Sequence, residues 1–279
     1  MRRIGFIGAG KAGTALGIYF SRKGYPVSGY LSHTRDHAKT SAETVGASVF
    51  ERLEDIASES DILFLTVPDA SIREVAEELA ISCDEMSHKW IIHTSGALSS
   101  EIYPDLHGAY GFCLHPAMAI SDPFRAADDF PSTVFTIEGA PKEAGDFFSE
   151  AGLHTLPIRA GDKTLYHLAC AVASNFVTGL FSWSLDLLGR IGFSETEARR
   201  IITPLFLANA ESTAENGPVA ALPGPAERAD AVTVRKHLDS LHDLNDETLY
   251  RLLTEKLIEL ARKKNPSVDY NELEEVLWH

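Results

Sequence analysis

The residues best suited to chemistry lie far apart in this chain. Lys163, His167 and Ser174 stand at offsets of 0, 4 and 11. On a helix of about 3.6 residues per turn they share one stripe, and Asn175 lies beside it. The surrounding sequence is otherwise almost wholly apolar, so that stripe is expected to face a cleft. Hydride addition to a carbonyl or imine needs a proton donor and a polarising group near the developing negative charge. Lys163 and His167 are the candidates for these catalytic roles, with Asn175 toward the substrate. The plainer reading has Lys163 capping a loop end and His167 satisfied by a core hydrogen bond. Further on, the Gly/Pro-rich segment from Leu222 to Asp230 carries Arg228. Its guanidinium would either bind an anionic substrate or pair with Glu227 or Asp230.

A second set of residues would hold the hydride donor. Ile4 to Ile7 is a short apolar run, Gly8-Ala9-Gly10-Lys11-Ala12-Gly13 follows at once, and an apolar helical pattern starts at Thr14. Strand, glycine turn and helix form the context in which Gly-x-Gly-x-x-Gly binds a dinucleotide. The first glycine permits the turn, the second lets the diphosphate approach the backbone, and the third lets helix and strand pack closely. The free N–H groups and positive dipole end of the helix then face the phosphates. The second strand ends near Ser32, and His33 and Arg35 follow without a carboxylate before Asp36. A carboxylate there would favour NAD, whereas a hydroxyl and an arginine suit the 2′-phosphate of NADP. NADP is therefore expected over NAD, with Ser32 as helix N-cap the alternative.

These groups need a sheet whose strand ends line one edge. Val27–Leu31, Ala47–Val49, Asp61–Val67, Trp90–Thr94, Tyr110–Leu114, Thr133–Ile137 and Leu153–Ile158 read as further strands, with helices at His33–Thr44, Asp69–Ala80 and Pro141–Ala151. Such alternation implies an α/β, Rossmann-type parallel sheet, with ligands outside the carboxyl ends of its strands. Val67, Pro68, Asp69 and Thr94 are assigned to the cofactor, with Asp69 as a helix N-cap the alternative. Ser95 and His115 are assigned to the substrate. From Asp162 to Arg190 the pattern is one long helix, apolar on several faces and expected to be central. Helices follow at Ser194–Glu211, Asp230–Leu244, Asp246–Lys264 and from Asn271, with a ten-residue loop over Asn216–Pro225. Two domains are expected: a dinucleotide-binding domain at 1–158 and an all-helical domain at 159–279.

Taken together the motifs resemble a family of Rossmann-like proteins with a C-terminal DUF2520 domain, distant relatives of pyrroline-5-carboxylate reductase, ketopantoate reductase and the 3-hydroxyacid dehydrogenases. The resemblance rests on the glycine turn, Val67-Pro68-Asp69, His93-Thr94-Ser95-Gly96-Ala97, Leu114-His115-Pro116, Lys163-Thr164-Leu165-Tyr166-His167 with Ser174-Asn175, and Gly224-Pro225 followed by Arg228, Asp230 and His237. It implies NAD(P)-dependent oxidoreductase activity and a helical dimerisation domain. It also implies a substrate-side lysine at Lys163. Two positions depart from the pattern: His167 stands where Asn is common, and Ala229 where Gly follows the arginine.

Composition narrows the remaining choices. Asp plus Glu outnumber Lys plus Arg by 40 to 25 in 279 residues, a net charge of −15. That surface repels phosphate backbones and anionic membranes, so nucleic-acid binding is not expected. The cysteines Cys83, Cys113 and Cys170 are scattered and odd in number, and read as reduced thiols rather than a disulfide or metal framework. Met1-Arg2-Arg3 leads into a βα unit, not a signal peptide, and no membrane span is expected. The overall expectation is a cytoplasmic, metal-free, NADP-dependent reductase of a small anionic carbonyl or imine acid, dimeric through its helical domain. The alternative is a non-enzymatic dinucleotide sensor.

Overall fold

Ile4-Gly5-Phe6-Ile7 is buried throughout and forms β1 (Ile4–Ile7), an unbroken apolar run as parallel strands covered on both faces require. In the computed structural model, which describes residues 1–83 and 85–278, the chain divides into two compact units, Met1–Val177 and Thr178–His279. The sequence places the division at 158, just after the last strand.

In the first unit β1 is followed by α1 (Lys11–Arg22), β2 (Val27–Leu31), α2 (Arg35–Val45), β3 (Ser48–Val49), α3 (Leu53–Ser58), β4 (Ile62–Leu65), α4 (Asp69–Ser82), β5 (Trp90–His93) and β6 (Tyr110–Pro116). Then come α5 (Pro123–Asp129), β7 (Val134–Glu138), α6 (Lys142–Glu150), β8 (His154–Pro157) and α7 (Lys163–Ala173). The eight strands form one sheet in the order β3-β2-β1-β4-β5-β6-β7-β8. Strand order reverses between β1 and β4, so the crevice outside their carboxyl ends is the topological switch point.

One row of side chains crosses the sheet in register: Tyr30, Phe6, Phe64, Ile92 and Phe112. All are fully buried, and the rings of Tyr30, Phe6 and Phe64 stack with centroids 5.0 and 5.4 Å apart. Each such ring contributes roughly 2–3 kcal/mol of burial. Leu63, Leu65 and Ile91 point the other way, into a second cluster with Ile72 and Leu79 of α4. Alternation about a covered sheet thus fixes which residues reach the carboxyl ends.

The sheet is parallel, as expected, except at one place. β7 runs antiparallel to β6, with Pro116 opposite Phe135 and the Ala117 amide bonded to the Val134 carbonyl at 2.9 Å. The intervening chain returns at the edge where β6 ended, which suits an antiparallel neighbour without a crossover.

The helical half differs from the sequence reading in three respects. The expected single helix from 162 to 190 is two, α7 and α8 (Asn175–Arg190), broken at Ser174 with φ −124° and ψ −72°. The Ser174 hydroxyl donates to the Cys170 carbonyl and lies 2.9 Å from Asn175 Oδ1, a local bond that competes with helix continuation. This helix pair is not central in the chain. Leu165 is 70% exposed, and Leu168, Val172 and Phe176 are also exposed. Periodicity had located an apolar face without showing what covers it. By length and composition alone Ala160–Arg190 could cross a membrane, although the sequence reading found no such stretch.

Finally, the expected loop at 216–225 is helical in its first half. α9 (Glu195–Ala221) extends into it as far as Ala221, interrupted at Gly217, whose φ of 77° ends one helix before Pro218 opens the next. α10 (Ala231–Asp239), α11 (Leu244–Lys264) and α12 (Asn271–Trp278) complete the second unit around Leu222, Val234, Ile258, Tyr270 and Leu277.

The turn before α10 keeps left-handed geometry at Ala229, with φ 54°. An L-residue pays roughly 1–2 kcal/mol there, partly offset because alanine loses less chain entropy on folding than glycine does. Ala229→Gly is therefore expected to stabilise the protein by about 0.5–1 kcal/mol in urea unfolding. A loss of stability would show that the strain at Ala229 is negligible.

Candidate functional site

The glycine turn is bolted to β4. Gly8 has φ 105°, and the Thr66 hydroxyl donates to its carbonyl at 2.7 Å. A Cβ on Gly8 would lie 2.5 Å from the Thr66 carbonyl oxygen. A Cβ on Gly13 would sit 2.4 Å from both the Gly8 carbonyl oxygen and Thr66 Oγ1. Gly10 differs: nothing lies within 4 Å of the corresponding point, and it serves as the N-cap of α1 with no side-chain cap. The first amides of α1 are thus open to an anion, with no acidic residue in the first turn. Ala9 is buried, Ala12 half-buried and Lys11 exposed. These features fit the diphosphate of a dinucleotide.

At the end of β2, Ser32 is half-buried while His33 and Arg35 are exposed. The N-cap of α2 is Thr34, which corrects the alternative that placed Ser32 there. Arg35 pairs with Glu51 at 2.9 Å, and both side chains are largely in solvent. Such an exposed pair contributes about 0–1 kcal/mol and is readily exchanged.

Beyond β4, Val67 is half-buried and Pro68 caps α4, so Asp69 is its first residue and not its N-cap. The Asp69 carboxylate accepts the Ser95 hydroxyl at 2.7 Å. Ser95 Oγ also accepts the amides of Ala97 and Leu98 at 3.2 and 3.1 Å. With one proton donated and two lone pairs used, Ser95 has no bonding capacity left for a substrate. Its role in the structure is to fix the loop after β5, in which Thr94 is half-buried.

Lys163 opens α7 yet is only 1% exposed. Its Nζ donates to the Ser95 carbonyl at 2.9 Å and to Cys113 Sγ at 2.8 Å, joining α7 to the ends of β5 and β6. Burial pushes the Cys113 thiol up to about 11 despite the lysine. The neighbouring His93 is fully buried, its Nδ1 accepting the Ser95 amide at 3.3 Å. Burial first, and then the charge of Lys163, bring its pKa down to about 4.

His115 shares that environment, with burial and then Lys163 holding it near 4. Its Nδ1 lies 2.9 Å from the Tyr166 hydroxyl, and burial raises that phenol to about 12. The rings of His115 and exposed His167 meet edge to face at 6.5 Å. They converge on Gly96: a Cβ there would lie 2.8 Å from His115 Nε2 and 2.8 Å from His167 Nδ1. Both imidazoles border a cavity of about 370 Å³, with Ser174 and Asn175 in its wall. The structure thus brings together Lys163, Ser95, His115, His167 and Asn175. Arg228 belongs to the second unit, where it is exposed and makes no ion pair among the described residues.

Several members of this arrangement escape a reading of the sequence. Thr66 and Cys113 look like ordinary strand residues, and Tyr166 like part of an apolar helix. Gly96, after a histidine at a strand end, was the one readable signal of close approach.

Residues 1–116 match the Rossmann-like domain family, and residues 133–257 match DUF2520, a domain of unknown function. A curated glycerol-3-phosphate dehydrogenase (NAD(P)+) of Leuconostoc citreum is 31% identical over 116 residues, 37% of this chain and 34% of that protein. The chain therefore matches about a third of that relative's length. A solved candidate NADP oxidoreductase of Bacteroides fragilis has TM-score 0.74 at 23% identity, covering 92% of this chain and 98% of that one. A protein of Thermotoga maritima has TM-score 0.72 at 26% identity, covering 94% and 99%. A reductive aminase of Aspergillus terreus, in complex with NADPH and ethyl levulinate, has TM-score 0.64 at 17% identity, covering 98% of each chain. The fold is common to all three over nearly their full length. The chain carries a Rossmann-like domain followed by a DUF2520 domain.

Proposed function

We propose that the protein is an NADP-dependent oxidoreductase that reduces a carbonyl or imine carbon. The observation that carries this reading is the uncapped Gly10 turn at the switch point, with two imidazole nitrogens converging two strands away. The roles of the similar proteins, a candidate NADP oxidoreductase, an NADPH-bound reductive aminase and an NAD(P)+-linked dehydrogenase, support it. The Gly8–Gly13 turn and α1 amides would hold the diphosphate, and Ser32, His33 and Arg35 the adenosine phosphate. When bound, the nicotinamide supplies the hydride.

The chain's own groups manage the proton. With Tyr166 donating to Nδ1 of a neutral His115, the ring carries its proton on Nε2, the nitrogen above Gly96. A substrate oxygen or nitrogen near that point receives a hydrogen bond from His115 and a proton exchanged with solvent through exposed His167. Lys163 lies behind the floor, where its charge opposes protonation of His115 and favours negative charge building up on the substrate. The exposed apolar side chains Leu205 and Leu207 of α9 favour self-association of the helical unit.

Calorimetric titration with NADPH and NADH tests the cofactor site. NADPH should bind more tightly. Gly10→Ala should weaken it at least tenfold while costing less than about 1 kcal/mol of stability. Gly13→Ala, which forces a Cβ onto a backbone carbonyl, should instead destabilise the fold by about 1–3 kcal/mol. No heat with millimolar NADPH overturns the reading. Light scattering should give twice the 30.5 kDa chain mass, and a monomer at high micromolar concentration contradicts self-association.

Acid should destabilise the fold in a defined window. His93 and His115 stay neutral in the native state to about pH 4, whereas the unfolded histidines protonate near 6.5. The unfolded chain thus binds more protons between those values, and stability falls as pH drops through them. By pH 5 the loss is about 2 kcal/mol per histidine. Urea unfolding at pH 7, 6 and 5 should show this slope, and His93→Gln should flatten it. A wild-type midpoint independent of pH over that range contradicts the burial of neutral imidazoles.

A further inference from the structure

The sequence pointed to a small anionic acid as substrate, but the wall of the reaction cavity is built for something else. Among the described residues that line its 370 Å³ there is no lysine or arginine and no carboxylate. Its body is Met118 with the alanines at 117, 119, 171 and 173, and its polar groups are the two imidazoles, the Cys170 thiol, Ser174 and Asn175. The charges nearby do not serve an anion. Lys163 is the positive one, but its ammonium is buried beneath the floor and committed to the Ser95 carbonyl and Cys113 Sγ. Asp69 is close enough to act electrostatically on His115, and its negative charge opposes an anion. His115 is itself held neutral by burial. A carboxylate bound in this cavity would give up hydration and gain no fixed cation in exchange, only the imidazole of His167 that exchanges protons with solvent.

We infer that the cavity selects an uncharged carbonyl or imine compound, with its apolar body against Met118 and the alanines and its reacting heteroatom beside the two imidazoles, and that it discriminates against the corresponding 2-oxo acid. This inference rests on the reductase reading for its chemistry, and its selectivity is measurable apart from turnover. The volume is at the low end for small-molecule sites, which suits a compact substrate.

The test compares 2-oxobutanoate with its methyl ester and its amide, which share the reacting ketone and differ in charge. In calorimetry with NADP-loaded protein, the ester and amide should bind at least tenfold more tightly than the acid. With NADPH, their kcat/KM should exceed that of the acid by the same margin. Ala117→Arg, at an exposed position of the wall, should narrow or reverse the preference by adding the missing cation. Ala119→Arg on the same wall serves if the first variant fails to fold. Selective binding of the uncharged pair without turnover would sustain the selectivity and overturn the reductase reading. Binding or reduction of the acid at least as good as that of its ester and amide overturns the inference, as does the absence of binding by all three.

Discussion

The close approach of β1's glycine turn to Thr66 is the constraint on which the arrangement depends. Gly13 lies where a Cβ would strike both the Gly8 carbonyl and the Thr66 hydroxyl. Removing that one carbon from three positions lets α1 begin immediately beyond β1, with its amides open and its axis aimed at the switch point. The same helix meets the sheet through Tyr30, whose hydroxyl donates to the Gly13 carbonyl at 3.4 Å across the space left by Gly17. Binding geometry and core packing are thus set by the same few glycines. A substitution that opens the turn would be felt in the aromatic row Tyr30–Phe6–Phe64 as well.

A second constraint is electrostatic. Lys163 is a buried amine held by a carbonyl and a thiol, and two imidazoles beside it are kept neutral. Burying an amine costs several kcal/mol unless its protons are bonded, and one carbonyl and one sulfur are modest compensation. The fold tolerates this because the lysine ties α7 to the loop after β5 and to β6. Ser95 is the shared node: its carbonyl receives Lys163 and its hydroxyl joins Asp69 to the amides of Ala97 and Leu98. The rigid floor below Gly96 follows from these bonds.

Much of this was legible in the residues. The glycine turn, the strand ends and the helix lysine all stand in patterns with local physical meaning, and each lies toward the carboxyl edge of the sheet. What stayed hidden depends on partners distant in sequence. Nothing near Cys113 announces that Lys163, fifty residues on, will reach it, nor does Asp69 announce Ser95. The orientation of β7 was unreadable because the chain from 117 to 133 could serve either direction. Apolar periodicity marked the face of α7 and α8 but not its exposure. Ala229 shows a different limit, since the left-handed turn survives without the glycine that usually signals it.

The central claim is that a nicotinamide dinucleotide lies across the glycine turn with its reactive end beside the two imidazoles. A crystal structure of the protein with NADPH tests this most directly. The account predicts diphosphate density against the Gly10 and Lys11 amides, with the nicotinamide ring reaching the strand ends next to Gly96. Density for the dinucleotide elsewhere, or a nicotinamide turned away from His115 and His167, would contradict it.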